Sequence, residues 1–100
     1  MKRVIVRYKV KPEAVAENEA LVHAVYEELQ RSQPEGMRYA TFRLDDGVSF
    51  VHINFSDGSS SLNDLASFKA FQQEIGARCD EAPQVSELSE IGSFRFDTNA

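Results

Sequence analysis

This chain has little of what most often marks chemistry: one cysteine, two histidines, no tryptophan, and fewer lysines and arginines (11) than aspartates and glutamates (16). The lone Cys79 can form no internal disulfide and supplies no metal-ligand spacing. That excludes a disulfide scaffold or a zinc module, and the thiol reads as a bystander in a reducing compartment. A formal charge of −5 and a pI near 4.9 argue against nucleic acid as partner, because affinity for a phosphate backbone needs lysine and arginine to displace counterions. No apolar run is long enough to span a bilayer. The run after Met1 carries Arg3, Arg7 and Lys9, too much charge for the apolar segment of a signal peptide, so a cytoplasmic protein away from membranes is expected. There is no phosphate-binding glycine loop, nucleophile triad or metal motif, and Asp45-Asp46 reads as turn chemistry.

What is present is an ordinary globular composition, 42% apolar and 27% charged over 100 residues, which fits one domain spanning residues 1–100. Val4, Val6, Tyr8 and Val10 alternate with Ile5, Arg7 and Lys9, predicting a strand over 3–10 with one strongly apolar face. Lys11-Pro12-Glu13 stops it and opens a helix whose Val15, Val22, Val25 and Leu29 share a stripe, running to about Gln33 before Pro34-Glu35-Gly36. Residues 37–44 and 48–55 read as a hairpin around Asp46-Gly47. That turn sets Arg43 against Phe50, Thr41 against His52 and Tyr39 against Asn54. Leu62, Leu65, Phe68, Gln72 and Ile75 trace a second helix, with Ser61 and Asp64 resembling a capping box at its start and Gly76 near its end. The last stretch, Val85 to Phe96 after Pro83, reads as a long strand with Gly92 as a bend.

The order strand, helix, strand, strand, helix, strand is the ferredoxin-like β-α-β-β-α-β plan, an α+β fold with a four-stranded antiparallel sheet and both helices on one face. The more apolar row of the hairpin, Ala40, Phe42, Leu44, Val51, Ile53 and Phe55, is expected under the helices. The opposite face would carry Ile5, Arg7, Lys9, Tyr39, Thr41, Arg43, Phe50, His52 and Asn54, rings mixed with cations and amides, a composition typical of interfaces. A homodimer through that face is the expectation, and a solvated face with scattered rings is the alternative.

Several segments, in order along nearly the whole chain, resemble the antibiotic biosynthesis monooxygenase family. They are Lys11-Pro12, Pro34-Glu35-Gly36-Met37-Arg38-Tyr39, Ser67-Phe68-Lys69-Ala70-Phe71 and Gly92-Ser93-Phe94-Arg95-Phe96. The resemblance implies a dimeric α/β barrel, two such sheets packed face to face, and O₂-dependent oxidation of quinol- or anthrone-type aromatics without metal or flavin. Many members end the third strand in tryptophan, where this chain has Phe55, and histidines that often follow are replaced near Asn63-Asp64 and at Ser67. The asparagine that haem-degrading relatives carry on the first strand is matched by an apolar residue close to Val6, which argues against haem degradation.

Cofactor-free oxygenation needs an apolar pocket and a base that makes the substrate electron-rich. His52 is the candidate base by its intrinsic pKa, although the assigned register turns it away from the helix side and allows an interfacial role. Tyr8 could aim its hydroxyl into a pocket lined by Val6, Phe42, Phe55 and Phe68, or be a core tyrosine satisfied by backbone. Arg43, with Arg7, could orient an anionic group or serve an interface. His23 falls on the flank of the first helix and reads as a surface residue. Two functions follow: a small-molecule-binding protein resembling cofactor-independent monooxygenases, or a noncatalytic ligand-sensing or structural dimer of the same fold. An RNA-recognition module is disfavoured, since Asp46 and Val48 stand where a basic residue and a ring would be needed.

Overall fold

Apolar alternation builds the first strand, β1 (Lys2–Val10), in the computed structural model, which describes residues 1–96. A single turn of 3₁₀ helix at Pro12–Ala14, with proline at its start, leads directly into α1 (Val15–Ser32). α1 ends at Gln33, which adopts the left-handed conformation (φ 48°) and donates its N–H to the carbonyl of Leu29. The hairpin follows as β2 (Met37–Arg43) and β3 (Ser49–Ser56). Its register is the expected one, Arg43 opposite Phe50, Thr41 opposite His52 and Tyr39 opposite Asn54. Asp46 closes the turn: its carboxylate accepts from the N–H groups of Val48 and Ser49 and from the Ser49 hydroxyl, which together pull its pKa down to about 2.

The second helical region is divided. A 3₁₀ turn at Leu62–Asp64, where Ser61 Oγ accepts from the Asn63 N–H, precedes α2 (Ala66–Gln72); Glu74 at φ 60° then breaks the chain before the short α3 (Ile75–Arg78). The N-terminus of α2 is capped from α1. Glu28 Oε1 accepts from both the Ser67 N–H (2.9 Å) and the Ser67 hydroxyl (2.6 Å), contacts that also lower the Glu28 pKa.

The last strand is β4 (Cys79–Glu87), earlier and shorter than the expected Val85–Phe96. It starts early because α3 delivers it straight to the end of β1, with Cys79 paired to Val10 and the Lys11 N–H bound to the Arg78 carbonyl. It stops because β1 runs out: Glu87 pairs with Val4, and the Leu88 N–H bonds the Arg3 carbonyl. Pro83 lies inside this strand, at an edge and at an irregularity between the Arg7–Gln84 and Lys9–Glu81 pairs, where a missing N–H is tolerated.

The four strands form one antiparallel sheet in the order β2-β3-β1-β4, with the helices on one face, the α+β ferredoxin-like fold. The faces of the hairpin are the reverse of the expected ones. β1 pairs with β3 so that Val6 lies opposite His52 and Tyr8 opposite Phe50, and residues directly opposite share a face. Tyr8 and Val10 are buried under the helices, so Phe50 and His52 are too, and Thr41 and Tyr39 follow from the hairpin register. The apolar row with Phe42 and Phe55 lies on the open face, where Phe42 keeps 56% of its surface exposed. Hydrophobicity within the hairpin pointed one way, and pairing with β1 decided the other.

Gly36 sits at φ +72° before β2, and a Cβ there would run into the Asp57 carboxylate, whose own N–H bonds the Gly36 carbonyl. Gly36→Ala is expected to destabilise the protein by about 1–2 kcal/mol or more, read as a lower urea midpoint at unchanged slope. An unaltered midpoint would show that this turn relaxes freely.

Candidate functional site

Between the sheet and α2 and α3 lies a half-open cavity of about 610 Å³. Its floor comes from Val6 and Tyr8 of β1 with His52 and Asn54 of β3, and its roof from Phe68 and Phe71 of α2. The exposed side chains of Lys2, Asn63 and Gln72 also border it, so its rim is polar and its interior largely apolar. Rings dominate the inner wall. Tyr8 stacks on Phe50 with centroids 5.5 Å apart, and His52 lies 5.3 Å from both Tyr8 and Phe71.

At the base of the cavity runs a buried hydrogen-bond chain. Arg78, 5% exposed, donates from Nε to Asn18 Oδ1 (3.3 Å), and its Nη2 and Nη1 donate to the carbonyls of Phe71 (2.7 Å) and Gln73 (3.3 Å). Because guanidinium can only donate, Asn18 must turn Oδ1 toward it and Nδ2 toward Tyr8, to whose hydroxyl it donates at 2.9 Å. The Tyr8 hydroxyl lies 2.8 Å from His52 Nε2, and His52 Nδ1 lies 2.5 Å from the Tyr39 hydroxyl and 3.2 Å from Thr41 Oγ1. Thr41 Oγ1 is in turn 2.8 Å from the hydroxyl of Tyr26 on α1. Every donor finds an acceptor when Tyr8 donates to Nε2 and Nδ1–H donates onward, so the Nδ1–H tautomer of His52 is assigned.

Burial sets the protonation states. Desolvation pushes His52 down to about 4, leaving the ring neutral at physiological pH. It pushes Tyr8 up to about 12, against the hydrogen bond from Asn18, and raises Tyr26 and Tyr39 as well. The chain is therefore a set of neutral hydroxyls around a neutral imidazole. Beside it, Asn54 Oδ1 is buried with no hydrogen-bond partner among the described residues, an acceptor left unused in the cavity wall.

The structure brings together Val6, Tyr8, His52 and Phe68 of the residues singled out from sequence. His52 faces the helices rather than the open side, for the pairing reason given above. Phe42 and Phe55 do not meet the cavity; they line a smaller groove on the opposite face with Ile53 and Phe96. Arg43 lies on the helix side but is taken up by Glu19 of α1 at 2.7 Å and does not reach the cavity. His23 is exposed. Sequence reasoning passed over Asn18, Tyr39, Arg78 and Asn54 as site residues. Asn18 carried a signal, since it stands four and seven residues before Val22 and Val25 and so breaks their apolar stripe with a polar side chain. Arg78 carried none, because its burial depends on where α2 ends.

No family model matches the sequence, and no curated protein does. Solved structures do match in fold. A crystal structure of an antibiotic biosynthesis monooxygenase superposes with a TM-score of 0.74 at 22% identity, over 92% of this chain and 100% of that one. Rv0793 from Mycobacterium tuberculosis gives 0.74 at 19% identity, over 92% and 96%. SnoaB, a cofactor-independent oxygenase from Streptomyces nogalater, gives 0.68 at 17% identity, over 94% and 96%. At these identities the likeness is one of fold, and the first of these structures carries the name of the family that the sequence segments resemble.

The unfolded chain binds a proton on His52 near pH 6.5, whereas the native chain resists it until about pH 4, so stability is lost as pH falls through that window. Denaturation midpoints are expected to drop by the equivalent of roughly 3 kcal/mol between those limits, and His52→Gln is expected to flatten the slope. A wild-type slope retained in the variant would place the acid sensitivity elsewhere.

Proposed function

We propose that this protein belongs to the antibiotic biosynthesis monooxygenase-like family, works as a homodimer, and binds a planar aromatic of quinol type in the cavity for oxidation by O₂. The observation that supports this best is the pairing of an aromatic-walled cavity with a neutral, unprotonated His52 held between two tyrosine hydroxyls. The Nε2 lone pair of that neutral imidazole already accepts from Tyr8, so Tyr8 can pass its proton to the ring as it takes one from a ligand. A quinol that gives up its proton becomes electron-rich enough to reduce O₂ itself, and the apolar wall keeps water from the anion. Tyr8 and His52 would receive the proton, while Val6, Phe68 and Phe71 would hold the ring.

The homodimer reading rests on the open face. Its apolar row is continued by the segment after β4, which crosses this face: Glu90 lies 3.5 Å from Arg3, and Phe96 reaches the groove beside Phe42 and Phe55. Ile91, Phe94 and Phe96 along that segment are 97%, 78% and 71% exposed, large apolar side chains that a second copy could bury. A second copy would cover both.

The test is anaerobic titration with 1,4-dihydroxynaphthalene followed by O₂ uptake after air is admitted. Saturable binding and uptake above the protein-free rate are expected, with His52→Gln lowering uptake by about 10²-fold while the dissociation constant stays within about twofold. Binding without uptake would favour a noncatalytic ligand-binding role, and equal uptake in the variant would remove His52 from the chemistry. Sedimentation should give a dimer, converted toward monomer by Phe42→Glu; a wild-type monomer would remove the interface.

A further inference from the structure

We propose that Thr41 and Tyr26 complete a proton-exit path that carries the ligand's proton from the cavity, through Tyr8 and His52, to a separate groove on the outer surface. This rests on the reading of the cavity as a place where a ligand is deprotonated, and adds the route by which the proton leaves. Tyr8, His52 and Tyr39 line the cavity, whereas Thr41 and Tyr26 do not. Tyr26 instead lines an open groove of about 270 Å³ bounded by Gln30, Gln33 and Pro34 at the end of α1. Tyr39 lines both spaces and stacks on Tyr26 with centroids 5.4 Å apart, so it forms the wall that the path must cross.

The path has a direction because one end is anchored. Arg78 orients Asn18, Asn18 donates to the Tyr8 hydroxyl, and Tyr8 is left to donate to His52 Nε2. His52 Nδ1–H then faces two acceptors outward, the Tyr39 hydroxyl at 2.5 Å and Thr41 Oγ1 at 3.2 Å. The Thr41 branch continues outward, since Thr41 Oγ1 meets the Tyr26 hydroxyl at 2.8 Å. Chains of such bonds polarise one another and favour concerted transfer.

The transfer balances without oxidation or reduction. The ligand O–H bond breaks and its proton goes to the Tyr8 oxygen as the Tyr8 proton passes to His52 Nε2. The Nδ1 proton passes to Thr41, the Thr41 proton to Tyr26, and the Tyr26 proton to water in the groove. One proton reaches bulk water, each relay group ends neutral, and only the ligand is left charged. His52 need never hold a full positive charge in its buried position, which solves the difficulty of using so desolvated a base.

The test uses 4-nitrophenol, whose anion absorbs in the visible, and follows the relaxation of that absorbance after a pH jump on the protein complex. Thr41→Val and Tyr26→Phe remove a hydroxyl each outside the cavity. Both are expected to leave the dissociation constant within about twofold and slow the relaxation at least about tenfold, and Thr41→Ser is expected to restore the rate. A merely structural role would change melting temperature or affinity without this rescue. Unchanged relaxation in Thr41→Val and Tyr26→Phe, with binding intact, would overturn the path and leave the cavity standing. Should Thr41→Val fail to fold, Tyr26→Phe decides alone. Failure of 4-nitrophenol to bind the wild-type protein would overturn the cavity reading, and the path with it.

Discussion

The pairing of β1 with β3 is the constraint on which the rest of the molecule depends. By setting Val6 against His52 and Tyr8 against Phe50, it commits the more polar row of the hairpin to the interior and the more apolar row to the open face. Burying a histidine, two tyrosines and a threonine would ordinarily be costly, since each unpaired polar group in a dry interior costs about 1–3 kcal/mol. Here the groups satisfy one another, so the arrangement is tolerated and the inner row becomes a continuous polar line instead of a set of defects.

That line is held at one end by a buried cation. Arg78 is stabilised by the carbonyls of Phe71 and Gln73, where the end of α2 leaves acceptors without helical partners, and by the face of the Phe71 ring 5.4 Å away. The break at Glu74 that ends α2 is therefore what makes room for the guanidinium. From there, orientation passes through Asn18 to Tyr8 and to His52, so the tautomer of a central ring is set by a residue on the far side of the core. Fold and site share the same bonds.

The open face completes the other half of the design. An apolar row that would have suited a core lies instead on the open face, in a groove that Phe96 also lines. Tyr8, Tyr39 and His52 stand on the other side of that same sheet, so the row turned outward and the row that lines the cavity are fixed by one register.

Much of the fold was legible in the sequence. The period-two run at 3–10, the valine stripe of α1, the Asp-Gly turn with its register and the order of elements all follow from local rules of side-chain spacing and turn chemistry, and they recur in the structure. His52, Tyr8, Val6 and Phe68 were legible as candidates because their residue types and their likeness to a known family single them out. The face to which each hairpin residue turns was not legible, because a strand's two faces are told apart only by what it pairs with, and the partner of β3 is more than forty residues away in β1. The site depends on that long-range choice. Phe42 and Phe55 left the cavity, Tyr39 and Asn54 joined its wall, and Asn18 and Arg78 came to anchor the chain behind it, because tertiary pairing and the termination of α2 fixed directions that local hydrophobicity cannot express.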